Sequence, residues 1–235
     1  MGYINVTGIT ITSFDTKDTD RYVVMLTDRL GKVNVKFRSV RSSNSKRSGY
    51  TDPFVFEKVQ LYKKSSTYIA TEVEMIKSYE QAKVDLSKMV ALLYIKELLL
   101  LLIPYEEENK QILELTLKTL DFLDNTTNEY VDLAIVYYMF HLLKLLGNPV
   151  SFPKGSEETV YFSTQNDGFN LQSGFLVPKD VFEEAYNVSK LANPEILKIK
   201  RSKEILDLLN SYIIEKYEMD EYRKFLESIK NLNVR

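Results

Sequence analysis

The chain has 235 residues, of which 44% are hydrophobic and 27% are charged, as expected of a globular protein with one or two domains. It contains no cysteine and a single histidine, His141. This composition excludes disulfides, cysteine-tetrad zinc sites and most histidine-based metal clusters, so we expect no cofactor. The formal net charge of −2 gives no sign, for the chain as a whole, of a polyanionic partner.

Neither the first residues nor the most apolar run of the chain indicates export or a membrane. The first residues lack the basic and long apolar regions of a signal peptide, so we expect a cytoplasmic protein. The leucine-rich run at 98–103 is far shorter than the roughly 20 apolar residues of a membrane span, and Pro104 ends it.

The first 80 residues are rich in β-branched and aromatic residues in short runs separated by turn residues, which is typical of β-strands. These runs predict five strands, at about 3–14, 21–27, 32–40, 54–62 and 67–76. Five short strands with one long connection predict an OB-like barrel as the first domain, residues 1–80. An SH3-like barrel would show a similar pattern.

From about Asp85 the apolar residues recur every three or four positions, which indicates helices. We expect an all-α second domain over 81–235, so the fold class is α+β. Its helices are predicted at about 85–104, 110–123, 130–146, 178–191, 202–217 and 220–229. The segment 150–177 is predicted as an irregular or small β insert.

The two predicted domains differ in charge. Residues 1–80 carry 13 lysines and arginines against 9 acidic residues, whereas the remainder carries 18 against 24. The excess is concentrated around a loop rich in serine, where cations can neutralise phosphates and hydroxyl groups can bond them. Phe37 and Tyr50 flank this loop, although Phe37 is expected to point into the barrel. The candidate DNA-binding residues are Arg29, Lys32, Lys36, Arg38, Arg41, Lys46 and Arg47.

Several segments, in order, resemble the bacterial RecO family. In the barrel region they are residues 21–33, the basic loop 38–47 with Asp52-Pro53-Phe54, and residues 68–74. In the helical region they are Leu-Gly-Asn-Pro at the end of 142–149 and the closing segment 222–226. Many members of that family bind zinc through four cysteines after the Leu-Gly-x-x-Pro element. This chain has none, so we expect Phe152, Tyr161, Phe162, Phe169, Leu171 and Phe175 to pack the insert instead.

The resemblance implies a recombination mediator of DNA repair. Such a protein binds single- and double-stranded DNA, anneals complementary strands and, together with RecR, loads RecA onto DNA coated by single-strand-binding protein. The family's helical domain also receives the acidic, apolar-ended tail of single-strand-binding protein. His141 and Lys144, one helical turn apart, are the candidates for the basic edge of that tail site.

An enzymatic function is not expected. No phosphate-binding Gly-x-x-x-x-Gly-Lys-[Ser/Thr] loop is present, and no serine or cysteine nucleophile can be assigned to His141. Two further hypotheses fit the same pattern: an adaptor that binds only proteins, and an OB-fold protein that binds RNA, which charge alone does not distinguish from DNA.

Overall fold

The computed structural model describes residues 2–16, 19–41, 48–65, 67–154, 159–195 and 197–232. The chain divides into two compact units. The barrel unit comprises Met1–Gln81 and Leu98–Glu114, and the helical unit comprises Ala82–Glu97 and Leu115–Arg235. The units differ from the expected contiguous domains because the chain returns to the barrel at Leu98 before the helical unit resumes.

The barrel unit contains a closed five-stranded barrel with the strand order β1-β2-β3-β5-β4. Among the described strands only β3 and β5 pair in parallel, with Val35 opposite Tyr68 and Lys36 opposite Ile69. The predicted OB-like barrel followed by a helical region is therefore confirmed. The strands are β1 (Tyr3–Asp15), β2 (Arg21–Thr27), β3 (Gly31–Phe37), β4 (Val55–Lys64) and β5 (Thr67–Ser78).

Alternation of side chains along the strands builds the barrel core. On β3, Val33, Val35 and Phe37 are buried in the core, whereas Asn34 and Lys36 point outwards. The third strand ends at Phe37 rather than at the predicted Val40, because Ser39 takes a left-handed conformation with φ of 54°. Its backbone N–H there donates to Asp20 Oδ1 at 2.9 Å, which stabilises the turn.

Seven helices follow or flank the barrel within the described residues. The most buried is α4, on which Leu133–Phe140 are all buried, and it packs against α5 and α6. No helix in the described part of the chain is long and apolar enough to cross a membrane. The helices are α1 (Glu80–Val84), α2 (Leu86–Leu102), α3 (Lys110–Asn125), α4 (Val131–Leu145), α5 (Lys179–Lys190), α6 (Ser202–Tyr217) and α7 (Asp220–Leu232).

The insert between α4 and α5 contains a small antiparallel sheet of β6 (Val160–Ser163), β7 (Gly168–Asn170) and β8 (Phe175–Val177), with β6 in the middle. Aromatic rings pack it: Phe152 stacks on Phe169 at 4.9 Å, and Phe162 meets Phe169 edge-on at 4.9 Å. The expected packing role of Phe175 is wrong, because its side chain lies on the edge strand β8 and is 72% exposed.

One carboxyl group lies inside the barrel. Glu57 points to the same face of β4 as Val59 and Leu61 and is fully buried, with the equally buried hydroxyl of Thr10 as a polar neighbour of its carboxyl group. Burial raises the pKa of Glu57 to about 8, so the group is protonated in the folded protein at neutral pH. In the unfolded chain it ionises near its ordinary value of 4.5.

This difference predicts a pH-dependent stability. Between about pH 5 and pH 8 the unfolded state loses a proton that the folded state keeps, so the stability of the barrel should fall as the pH rises through this window. Glu57→Gln should remove this component, giving a gain over the wild type that grows with pH to the order of a few kcal/mol. Urea unfolding at several pH values measures it. The control Glu72→Gln, at an exposed position on β5, should unfold with the pH dependence of the wild type.

Candidate nucleic-acid interface

Four cationic residues come together at one end of the barrel. In the antiparallel β2–β3 pair Arg21 lies opposite Phe37, so the start of β2 is beside the end of β3. Lys36 precedes that point, and Arg38 and Arg41 follow it. Arg41 is held there by its backbone N–H, which donates to the carbonyl of Thr19 at 2.9 Å. We call Arg21, Lys36, Arg38 and Arg41 the rim cluster.

Carboxylates of the neighbouring β1–β2 turn compensate most of the rim cluster. Arg21 Nε lies 2.7 Å from Asp15 Oδ1, and Arg41 Nε lies 3.6 Å from Asp15 Oδ2. Lys36 Nζ pairs with Asp20 Oδ2 at 2.8 Å. Hydrogen bonds from Lys36 and from the Ser39 backbone lower the pKa of Asp20. The hydrogen bond to Asp20 in turn raises the pKa of Lys36. The Arg21, Lys36 and Asp20 side chains are half-buried whereas Asp15 is exposed, so solvent still reaches these ion pairs.

Arg38 differs from the other cations of the rim cluster. Its side chain is exposed, and in the described part of the chain it has no ion pair or hydrogen bond. Its charge is therefore available to an approaching anion. Lys46 and Arg47, also predicted to bind DNA, lie outside the described residues.

Arg29 does not belong to this cluster. It lies in the turn between β2 and β3, at the opposite end of the strands, and its guanidinium donates to the carbonyl of Asn5 at 3.2 Å. With about 3.3 Å per strand residue, the seven residues of β2 put it roughly 20 Å from Arg21. Arg29 is exposed, but it would contact a different part of any nucleic acid.

Lys32 is buried, which corrects its predicted role in phosphate binding. Its side chain is 1% exposed, and its ammonium donates to the carbonyls of Leu99 (3.2 Å) and Leu100 (2.6 Å) near the end of α2. The ammonium also lies 4.5 Å from the centre of the Tyr105 ring. Burial lowers the pKa of Lys32 to about 8. An ammonium enclosed in this way cannot reach a phosphate, and it instead neutralises the negative end of the helix dipole.

The aromatic residues expected beside the basic loop are not available for stacking. Phe37 is 2% exposed in the barrel core, as its position on β3 predicts, and Tyr50 packs against the same core.

Arg21 is a member of the rim cluster that the sequence did not predict, because the basic stretch begins only at Arg29. The hairpin register that places β2's first residue opposite Phe37 is the signal that could have found it.

A second basic surface lies in the helical unit and contains both residues predicted there. His141 and Lys144 of α4 line a groove of about 510 Å³, together with Lys190 at the end of α5. Its apolar lining is formed by Phe140, Pro149, Val150, Phe152, Leu191 and Ala192. The groove thus combines an apolar floor with two lysines at its edge, and we call it the α4–α5 groove.

His141 has a structural role in the α4–α5 groove. His141 stacks on Tyr137 at 4.1 Å, and its two ring nitrogens lie 2.9 Å from the carbonyl of Tyr137 and 2.8 Å from that of Leu191. Burial lowers the pKa of His141, and the two carbonyl contacts oppose that effect. Lys144 and Lys190 are the two lysines in the lining of the groove. No group of three metal-ligating side chains occurs among the residues described.

Comparison with known proteins gives matches along most of the chain. Family models for the N-terminal and C-terminal parts of recombination protein O match residues 1–79 and 83–158. A DNA repair protein RecO from Dehalococcoides mccartyi is 28% identical over 82% of this chain and 80% of that relative. One from Bacillus pumilus is 27% identical over 96% and 92%, and one from Clostridium novyi is 30% identical over 60% and 54%.

Because the Lys32 ammonium is buried and cannot reach DNA, replacing it should lower the stability of the fold. Lys32→Met keeps the apolar stem but leaves the carbonyls of Leu99 and Leu100 without their donor, which should cost about 1–3 kcal/mol. Urea unfolding measures this cost. The matched control is Lys36→Met on the same strand, whose ion pair with Asp20 lies at the solvent-accessible end of the barrel and should contribute less. Equal stability of the two variants would contradict the structural role of Lys32.

Proposed function

The chain belongs to the recombination protein O family, and we propose that it is a DNA-binding recombination mediator without catalytic activity. Its relatives are named as DNA repair proteins, which supports a role in DNA repair. The observation that carries DNA binding is the rim cluster, where cations from two strands and the following turn meet at an open end of the barrel. We propose that single- and double-stranded DNA bind there through their phosphates.

Binding at the rim cluster works by exchange of ion pairs. A phosphate that approaches Arg38 meets a guanidinium that has no ion pair in the described residues and only a longer-range interaction with Asp20. It then competes with Asp15 and Asp20 for the other cations. Displacement of condensed counterions from DNA provides the free energy. Binding through the DNA backbone leaves the pairing edges of bases accessible, so a bound strand can anneal with its complement without any chemical step.

We further propose that the protein acts with RecR to load RecA onto DNA coated by single-strand-binding protein. The α4–α5 groove suits the acidic, apolar-ended tail of single-strand-binding protein, because two lysines flank a floor of apolar side chains. Acidic residues of the tail would pair with Lys144 and Lys190, while its apolar end would pack against Phe140 and Val150. The loading step would then combine DNA held at the barrel with single-strand-binding protein held through its tail.

The DNA-binding proposal predicts a change in salt dependence. Replacing Arg38, Arg41, Lys46 and Arg47 together by Ala should weaken binding to single-stranded DNA and impair strand annealing. The slope of log affinity against log salt should become less steep by about 0.7 for each phosphate that the variant no longer neutralises. Fluorescence anisotropy of a labelled oligonucleotide at several salt concentrations measures affinity and slope together.

A control of equal charge separates local binding from general electrostatics. Four exposed lysines of the helical unit serve for it when they are replaced by Ala: Lys179, Lys203, Lys224 and Lys230. This control should bind DNA with nearly the slope of the wild type. A folded barrel variant with the wild-type slope would move the DNA surface elsewhere and favour the adaptor hypothesis.

The groove proposal predicts that Lys144→Glu weakens binding of an acidic, apolar-ended peptide about tenfold or more, because attraction is replaced by repulsion. Isothermal titration with a synthetic tail peptide measures this. Lys179→Glu, an exposed substitution on α5 away from the groove lining, is the matched control and should bind like the wild type. Equal affinity of the wild type for single-strand-binding protein with and without its tail would rule the proposal out.

A further inference from the structure

An irregularity in β1 places an aromatic residue on the outside of the barrel. Val6 points into the core, and strict alternation would also turn Phe14 inwards. However, a β-bulge shifts the β1–β2 register between Thr10 and Thr12. Beyond the bulge the faces are exchanged, so Phe14 points outwards and is 57% exposed.

Phe14 is the first of three side chains that lie in a row on the outer face of the barrel. It lies directly opposite Tyr22 on β2, and Tyr22 lies directly opposite Lys36 on β3. Directly paired residues of neighbouring strands share a face, so the three side chains form one row across the sheet. The Lys36 ammonium lies 5.7 Å from the centre of the Tyr22 ring. The intervening positions, Asp15 and Arg21, lie on the other face and pair with each other.

The exposure of this row is local. On the same outer face of β2, Val24 is 3% exposed and Leu26 is fully buried, so the outward apolar side chains further along the strand are covered. Towards the start of β2 the cover is less complete, because Tyr22 is half-buried and Phe14 is exposed. The more accessible part of the face is therefore the part that adjoins the rim cluster.

We propose that Phe14 and Tyr22 form a platform on which unpaired bases of single-stranded DNA stack. This inference rests on the proposed DNA binding and names the residues that distinguish single strands from duplex. Aromatic faces bordered by cations suit single strands, because each base can stack while its phosphate meets a nearby cation. Lys36 and Arg38 occupy that bordering position. Bases within a duplex are already stacked on one another, so they gain nothing from the platform.

The platform predicts that removing the Phe14 ring weakens binding of single-stranded DNA but leaves the salt dependence of that binding unchanged. For the full chain, Phe14→Leu should weaken binding of an oligothymidylate of about 20 nucleotides roughly tenfold. Its salt slope should be unchanged, because no cation is removed. Affinity for duplex should also stay the same. The matched control is Tyr3→Leu, another exposed aromatic position of β1 but at its far end, which should bind like the wild type.

A strand that lacks bases tests the same stacking from the side of the DNA. An abasic oligonucleotide of equal length should bind the wild type about tenfold more weakly than oligothymidylate, whereas Phe14→Leu should discriminate between the two much less. A wild type that bound both strands equally would overturn the platform and leave phosphate binding intact. So would a Phe14→Leu variant with wild-type affinity. A wild type that bound neither strand would overturn the proposed function and the platform together.

Discussion

The burial of one ammonium group organises the barrel unit. Lys32 begins the outward row of β3, and its charge is enclosed by the carbonyl end of α2 and the ring of Tyr105. Removing a cation from water is costly, and two carbonyl acceptors together with the face of an aromatic ring offset that cost here. The segment after α2 is fixed as well: the N–H of Glu106 donates to the Lys32 carbonyl at 2.9 Å, and a Cβ at Gly31 would overlap the Glu107 carbonyl oxygen. β3 is thereby anchored at one end, and its other end carries the rim cluster.

The cations of the barrel therefore divide by what surrounds them. Lys32 is bonded to backbone carbonyls inside the fold, Arg21 and Arg41 share Asp15, and Lys36 pairs with Asp20. Arg38 is the exposed cation of this set without an ion pair in the described residues. A count of basic residues treats all of them alike. The geometry instead grades their accessibility, and Arg38 follows by two residues the Lys36 position at the end of the row that Phe14 begins. The proposed phosphate binding and the proposed base stacking would thus act at the same end of the barrel.

The sequence predicted the strands of the barrel well, because alternation such as Val33, Val35 and Phe37 is a local signal. It predicted the insert as irregular or as a small sheet, from turn-forming residues with scattered β formers rather than from alternation. Burial of Lys32 was out of reach, since the covering carbonyls lie 67 and 68 residues further along the chain. The exposure of Phe14 was not predicted, because the alternation of apolar and polar residues along β1 does not reveal the bulge that turns this side chain outwards. The groove residues His141 and Lys144 were named from a resemblance and helical spacing, while their partner Lys190 required the packing of α5 against α4.

The central claim is that single-stranded DNA lies across the outer faces of β1, β2 and β3 at the rim cluster. Backbone amide chemical shifts, followed by NMR while oligothymidylate is added to the full chain, test it most directly. The account predicts that the largest changes fall at residues 12–15, 20–22 and 34–41. Changes confined to the helical unit, with the amides of these three segments unmoved at saturating DNA, would contradict it.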